Sequence, residues 1–129
     1  MKSKEVARPT EAELAILQVL WEQGSSTVRQ IQDVLESARG TGYTTTLKLM
    51  QIMFEKGLLT RDDSNRSHVY SAAVSRQKTQ RRLVGELVEQ AFSGSAQQLV
   101  MQALSAKKST PEELREIRNL IDELERGLR

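Results

Sequence analysis

Four polar side chains recur on one side of the segment between residues 44 and 56. They are two threonines, a lysine and a glutamine: Thr44, Thr45, Lys48 and Gln51. A threonine offers a hydroxyl and a methyl group, a glutamine amide can donate and accept hydrogen bonds, and a lysine supplies positive charge. Few carboxylates accompany them. The segment therefore carries a set of groups suited to hydrogen bonding with a polar, negatively charged partner.

The other side of the same segment is apolar and has the spacing of a helix. Its members recur with the 3.6-residue period of an amphipathic helix: Thr46, Leu49, Met50 and Met53. Gly57 is a typical residue at which such a helix ends. The pattern predicts a helix that packs this side on a core and leaves the polar side outward.

Two short strand candidates follow the helix, at Leu58–Arg61 and Ser67–Ala72. Arg61, Arg66 and His68 lie in or beside the turn between them. A helix followed by a basic hairpin is the element order of a winged helix, in which the helix enters the DNA major groove and the hairpin touches the backbone beside it. We therefore expect these three side chains to meet phosphates or the minor groove.

On this interpretation the polar helix face reads bases, since threonine methyls suit thymine and a glutamine can pair with adenine. Leu47 is either a core residue or an apolar contact with a thymine methyl. Arg29, at the start of the preceding helix, is a candidate clamp on the DNA backbone. Asp62 and Asp63 are expected to be turn residues that point away. The alternative is an ordinary solvated helix face.

Helix-start signals place the elements that hold this segment. Thr10 and Thr27 each begin a capping box, with Glu13 and Gln30, and predict helices at about 10–23 and 27–37. Thr44 is expected to cap the third helix. Three helices and a hairpin thus fill residues 10 to about 73.

The last third of the chain predicts three more helices, at 76–92, at 96–104 and from a Thr110 cap onward. The final one has apolar residues spaced 3, 4, 3 and 4, which is a heptad seam. That seam either packs on its own winged helix or, as we favour, builds a two-fold dimer. The expected interface residues are Leu83, Leu87, Leu99, Val100, Leu104, Leu114, Ile117, Ile121, Leu124 and Leu128.

The expected fold is mainly α with a small β-hairpin: an N-terminal winged helix-turn-helix domain at 1–74 and a helical dimerisation domain at 75–129. Residues 1–82 carry 13 lysines and arginines against nine acids, and residues 83–129 carry six against eight. The basic excess thus accompanies the predicted winged helix, as phosphate binding requires.

Composition argues against several other classes. The chain has no cysteine, which excludes disulfides and thiolate metal sites and fits a cytoplasmic protein. Neither a membrane span nor a secretory signal is expected. His68 is the single histidine and lacks clustered carboxylates, so we expect no catalytic residues, no metal and no cofactor. Two non-enzymatic alternatives remain, a protein-interaction module and a regulator gated by a small molecule.

The sequence resembles the penicillinase-repressor family (BlaI/MecI/CopY type) of winged-helix transcriptional repressors. The resemblance covers about residues 9–128. It rests on TEAELAILQVLWEQG, TVRQIQDVL, GYTTTLKLMQIMFEKGLLTR, SHVYSA, FSGSAQQLVMQAL and TPEELREIRNLIDEL.

The resemblance implies a homodimer that represses promoters by binding palindromic double-stranded DNA operators, with contacts from Thr44, Thr45, Leu47 and Lys48 and from the wing at Arg66 and His68. It also implies a membrane sensor-protease that leads to cleavage in the dimerisation region. Antibiotic-responsive members are cut at an Asn-Phe bond, and the matching position here reads Gln102-Ala103. The copper-responsive branch carries C-terminal cysteine pairs that this chain lacks, so copper sensing is not expected.

Overall fold

The computed structural model describes residues 8–128. Within them the chain forms six helices and three short strands, and it divides into two compact units at the boundary between Arg82 and Leu83. The elements, in chain order, are α1 Glu11–Gln23, β1 Ser26–Thr27, α2 Val28–Arg39, α3 Tyr43–Glu55, β2 Leu59–Asp62, β3 Val69–Ala72, α4 Arg76–Ala91, α5 Ala96–Ala106 and α6 Pro111–Gly127.

Capping boxes begin α1 and α2 as the sequence predicts. The Thr10 hydroxyl accepts from the Glu13 N–H at 3.2 Å, and Glu13 Oε1 accepts from the Thr10 N–H at 2.9 Å. Thr27 and Gln30 repeat the arrangement at the start of α2 with distances of 3.2 and 2.9 Å. Each box satisfies two backbone donors that the first turn of a helix leaves without partners.

The start of α3 differs from the prediction. Thr44 is not its cap, because the helix begins one residue earlier at Tyr43 and the N-cap is Gly42, which has no side chain to accept a hydrogen bond. The Gly42 carbonyl instead accepts from both the backbone N–H and the hydroxyl of Thr46, each at 3.1 Å. Thr44 therefore lies inside the helix with its side chain exposed.

Gly57 ends α3 and turns the chain into the sheet. Its φ of +86° lies in the left-handed region that favours glycine. The Gly57 N–H donates to the Phe54 carbonyl at 3.1 Å and the Leu58 N–H donates to the Met53 carbonyl at 2.9 Å. These two bonds form a Schellman motif, which satisfies carbonyls at the helix end.

The sheet has the antiparallel order β1-β3-β2. The hairpin of β2 and β3 agrees with the prediction, but each strand is shorter or shifted relative to the expected limits. The sequence does not predict strand β1, which pairs Ser26 with Tyr70 and Thr27 with Val69. The last pair between β2 and β3 is Asp62 with Val69, so the wing consists of residues 63–68 beyond the paired strands.

One core joins the three helices and the sheet of the first unit. Thr46 lies in it with no exposed surface, as the helical period predicts. Burying an aliphatic side chain stabilises a fold by about 1.5–3 kcal/mol, so this cluster is the main source of stability for the unit. The fully enclosed side chains are Ile16, Leu17, Ile31, Met50, Met53, Leu58 and Tyr70.

The second unit has a different character. None of the described residues from 83 to 128 is buried, although α5 and α6 are well capped by Ser95 and by the Thr110/Glu113 box. The apolar seam of α6 is exposed, with Ile121 at 48% and Leu124 at 61%. The single chain therefore leaves this unit without a buried interior of its own.

Candidate nucleic-acid interface

The outer face of α3 presents the four polar residues expected to read bases. All of them are exposed on the described chain: Thr44, Thr45, Lys48 and Gln51. Thr46, Met50 and Met53 hold the inner face of the helix in the core. The core thus sets the rotation of α3 about its axis, and that rotation determines which side chains reach solvent.

An open groove of about 520 Å³ lies between the start of α2, one side of α3 and the hairpin. Thr44, Thr45 and Lys48 do not line it. Leu47 does so while also packing against the core, which reconciles its two predicted roles. Six predicted site residues meet in this groove: Arg29, Leu47, Gln51, Arg61, Arg66 and His68.

Tyr43 is a residue of this groove that the sequence-based site omits. The Arg29 guanidinium carbon lies 5.2 Å from the centroid of the Tyr43 ring, which is a cation–π distance. Tyr43 is the first residue of α3 and 41% exposed. The signal that could have identified it is an aromatic residue directly before the predicted base-reading threonines. The pair links the start of α2 to the start of α3.

Arg61 is held by its neighbours in the hairpin and in α3. Its guanidinium carbon lies 4.3 Å from the centroid of the Phe54 ring, and its Nε lies 2.8 Å from Asp63 Oδ1. The contact with the Tyr70 hydroxyl and then that with the Asp63 carboxylate raise the pKa of Arg61. Arg61 therefore remains charged, but its charge is already matched by a carboxylate.

The two consecutive aspartates, at the end of β2 and at the start of the wing, behave differently from one another. Asp62 is not the turn residue that the sequence predicts, because it is the last residue of β2 and pairs with Val69. Ser64, through its hydroxyl and then through its backbone N–H at 2.9 Å, lowers the pKa of Asp62. Asp63 was expected to point away from the basic side chains, and it does not. Its Oδ1 lies 3.5 Å from His68 Nδ1 as well as against Arg61, because the turn folds the carboxylate back between them.

Three cations of the groove and the α3 face are not neutralised. Arg29, Lys48 and Arg66 are exposed, and no carboxylate of residues 8–128 lies within ion-pair distance of them. The positive potential at this face thus comes from these three side chains and from the N-terminus of α2, whose backbone N–H groups favour anions.

The expected dimer residues all lie in the described part of the second unit. None is buried, and the most exposed, Leu128, is 87% accessible. Gln102 and Ala103, where the sequence resemblance implies cleavage, lie in the middle of α5 with exposed side chains.

Two further properties of residues 8–128 bear on the function. These residues contain no group of three or more histidines, cysteines or acids placed to hold a metal ion. Within the same range, every helix is too short or too polar to cross a bilayer.

Solved structures share the fold of the first unit. The solution structure of the DNA-binding domain of the repressor BlaI has a TM-score of 0.51 and 20% sequence identity, and the match covers 57% of this chain and 90% of that domain. The Bacillus licheniformis BlaI monomeric form, solved in complex with the blaP half-operator, also has a TM-score of 0.51 and 20% identity, over 58% of this chain and 92% of that one. The fold is therefore a winged helix.

Sequence comparison extends over nearly the whole chain. The transcriptional regulator BlaI of Mycobacterium tuberculosis is 27% identical over 124 residues, which cover 95% of this chain and 88% of the relative. The family model described as penicillinase repressor matches residues 9–123, from the start of α1 almost to the end of α6. By this match across both units, the chain belongs to the penicillinase repressor family.

Proposed function

We propose that the protein is a homodimeric transcriptional repressor that binds a palindromic operator in double-stranded DNA through α3 and the wing. The observation that carries the proposal is the outer face of α3. Thr44, Thr45 and Lys48 project from a helix whose rotation is fixed by the core, beside a groove with unneutralised arginines. Membership of a repressor family and the half-operator complex of a structural neighbour support it.

The roles within this surface follow from position. Thr44, Thr45, Lys48 and Gln51 enter the major groove, where the threonines and the glutamine meet base edges, while Lys48, Arg29 and Arg66 neutralise phosphates. Tyr43 orients Arg29 by stacking beneath its guanidinium. His68 lies at the wing and adds a phosphate contact, whereas Arg61 braces the wing against α3.

The C-terminal seam supports dimerisation. Apolar side chains on α6 at roughly 1.5–3 kcal/mol each when buried need a partner surface, and no residue from 83 to 128 is buried in the single chain. A second copy offers the same seam, and a two-fold pair matches a palindromic site. We accordingly assign DNA binding to the first unit and dimerisation to the second.

Relief by proteolysis is the family-based extension of this proposal. The bond between Gln102 and Ala103 lies inside α5, whose backbone is hydrogen-bonded as a helix. A protease that binds its substrate in extended form must therefore unwind α5 before it can cut. The test is to produce the protein together with a membrane sensor-protease encoded by a neighbouring gene. Intact-mass analysis of the purified protein then shows whether fragments that end at Gln102 form.

The deciding experiment is a gel shift of the full chain on the promoter of its own operon, with a scrambled duplex of equal length as control. We expect a retarded complex on the promoter at protein concentrations that leave the scrambled duplex free. Equal binding to both, or none to either, overturns the proposal and favours a winged helix that docks on another protein.

A further inference from the structure

We propose that Asp63 is a positioning residue that holds the wing in its DNA-binding geometry, so that this acidic side chain increases the affinity for DNA. The inference rests on the proposed function, which it deepens. It runs against simple electrostatics, because a carboxylate in an element that approaches phosphates repels them.

The sheet does not hold the wing where Asp63 lies. Pairing between β2 and β3 ends at Asp62 and Val69. Beyond that pair, the Asp63 carboxylate connects the two sides of the hairpin through its side chain. Its Oδ1 lies 2.8 Å from Nε of Arg61 in β2 and 3.5 Å from Nδ1 of His68, which directly precedes β3.

The same carboxylate connects the wing to α3. Arg61, its partner, stacks on the ring of Phe54 in the last turn of α3 with 4.3 Å between the guanidinium carbon and the ring centroid. The Arg61 side chain is 25% exposed and the Asp63 side chain is 52% exposed, so water is partly excluded on the Arg61 side of the ion pair. Asp63, Arg61 and Phe54 thus form a chain of contacts that fixes the distance between the wing and the helix.

The negative charge of Asp63 has little cost for DNA binding in this arrangement. The carboxylate oxygen is directed at Arg61 and His68, and the positive charge of Arg61 offsets it. Asp63 increases the affinity by placing the wing before DNA binds. Arg66 and His68 must meet phosphates at defined positions, and each side chain that is ordered only on binding costs conformational entropy.

Asp62 supplies a matched control. Asp63→Asn and Asp62→Asn each remove one negative charge, at adjacent positions of the chain. The Asp62 oxygen accepts a hydrogen bond from the Ser64 N–H at 2.9 Å, and an asparagine carbonyl oxygen can accept the same bond. Asp62→Asn therefore removes the charge and keeps an acceptor for the Ser64 N–H, whereas Asp63→Asn removes the ion pair with Arg61.

The test compares dissociation constants of the full chain and the two variants on the promoter duplex at several salt concentrations. We expect Asp63→Asn to bind roughly tenfold more weakly than Asp62→Asn. We also expect its log–log salt slope to be less steep by about 0.9 for each wing cation that no longer reaches a phosphate. Equal or tighter binding by Asp63→Asn, with an unchanged slope, overturns the proposal. Thermal unfolding of both variants verifies that the core is intact.

A measurement without DNA separates this inference from the proposed function. His68 is the only histidine in the chain, so its ring signals in NMR spectra are assigned without ambiguity. We expect Asp63→Asn, but not Asp62→Asn, to shift these signals and to speed amide exchange at residues 66–68. Identical spectra for the two variants overturn the positioning role, whether or not the wild-type chain binds the promoter.

Discussion

Lys56 Nζ donates hydrogen bonds to both carboxylate oxygens of Glu13, at 2.9 Å to Oε1 and 2.8 Å to Oε2. Glu13 lies in the first turn of α1 and is only 2% exposed, while Lys56 caps the end of α3. Glu13 Oε1 also completes the capping box with Thr10. One buried carboxylate therefore fixes the start of α1 and attaches the end of α3 to it.

This pair predicts a pH-dependent contribution to stability. Burial acts to raise the pKa of Glu13, but the hydrogen bonds from Lys56 and Thr10 and the charge of Lys56 outweigh it and lower the pKa below 4.5. A lowered pKa in the folded state stabilises the fold above the unfolded value, and this stabilisation is lost as pH falls through the folded value. We expect Glu13→Gln to reduce the free energy of unfolding by about 2 kcal/mol at pH 7. The difference from wild type should shrink below about pH 4.5 in urea titrations.

The neighbouring Glu11 is the control for that measurement. Its side chain is 92% exposed and its ion-pair partner, Arg39, lies 3.8 Å away. Glu11→Gln should change stability by less than about 0.5 kcal/mol at either pH. An equal effect of the two substitutions would contradict the role given to the buried pair.

The α3 face predicts two different kinds of binding defect. Thr45→Ala should cost about 1 kcal/mol of discrimination between the operator and a mismatched duplex, because it removes a base contact. Lys48→Ala should weaken binding to both duplexes to a similar extent, because it removes a contact with phosphate, which carries no sequence information. Fluorescence anisotropy on matched and mismatched duplexes distinguishes the two. Gln18→Ala, on an exposed position of α1, should leave both affinities unchanged.

Tyr43→Leu tests whether stacking on Arg29 matters for DNA binding. Leucine keeps an apolar side chain at the first position of α3 but removes the ring under the guanidinium. Cation–π pairs at exposed sites contribute about 0.5–1 kcal/mol, so roughly threefold weaker binding is expected. In an Arg29→Ala background, the same Tyr43→Leu change should have little further effect. Additive effects in this double-mutant cycle would show that the two residues act independently.

The slope of the binding constant against salt concentration gives the number of cations that contact phosphates. With Arg61 matched by Asp63, three cations of this surface in each subunit have no carboxylate of residues 8–128 within ion-pair distance: Arg29, Lys48 and Arg66. A dimer with about six such contacts should show a log–log slope of about −5. A slope near zero would argue against DNA as the target, and a slope of about −7 would show that Arg61 also reaches the backbone.

The α6 seam predicts the oligomeric state. Ile117→Glu combined with Leu124→Glu should convert a dimer into a species of the 14.6 kDa chain mass in light scattering, because charges on a buried seam are costly to desolvate. Asn119→Glu adds an acid at an exposed position off the seam and should leave the dimer intact. A dimer that survives the double change would place the interface elsewhere.

Local signals in the sequence predict the helices well. The capping boxes predicted at Thr10 and Thr27 depend on residues three apart, and both are present; the predicted cap at Thr110 is present too and forms a box with Glu113. The prediction that Thr44 caps α3 is wrong, because a threonine is also tolerated inside a helix when its side chain reaches solvent. Glycine, which lacks a side chain to signal its role, takes that position at Gly42.

Contacts between distant segments cannot be predicted from these local signals. Strand β1 is two residues long, and it pairs Ser26 with Tyr70 from the other end of the unit. The ion pair of Glu13 with Lys56 spans 43 residues. The role of Asp63 cannot be predicted for another reason. Its partners are close in sequence, but the preference of aspartate for turns does not tell in which direction the carboxylate points.

Thr46 marks the difference between the buried side of α3, which stabilises the fold, and its outer side, which is open to solvent. With no exposed surface and its hydroxyl bonded to the Gly42 carbonyl, it belongs wholly to folding, while the residues on either side of it, Thr45 and Leu47, face outward or into the groove. Substitutions on the outer face should therefore cost little stability. If these outer residues read the operator as we propose, the target sequence of the protein can change without any change in its buried core.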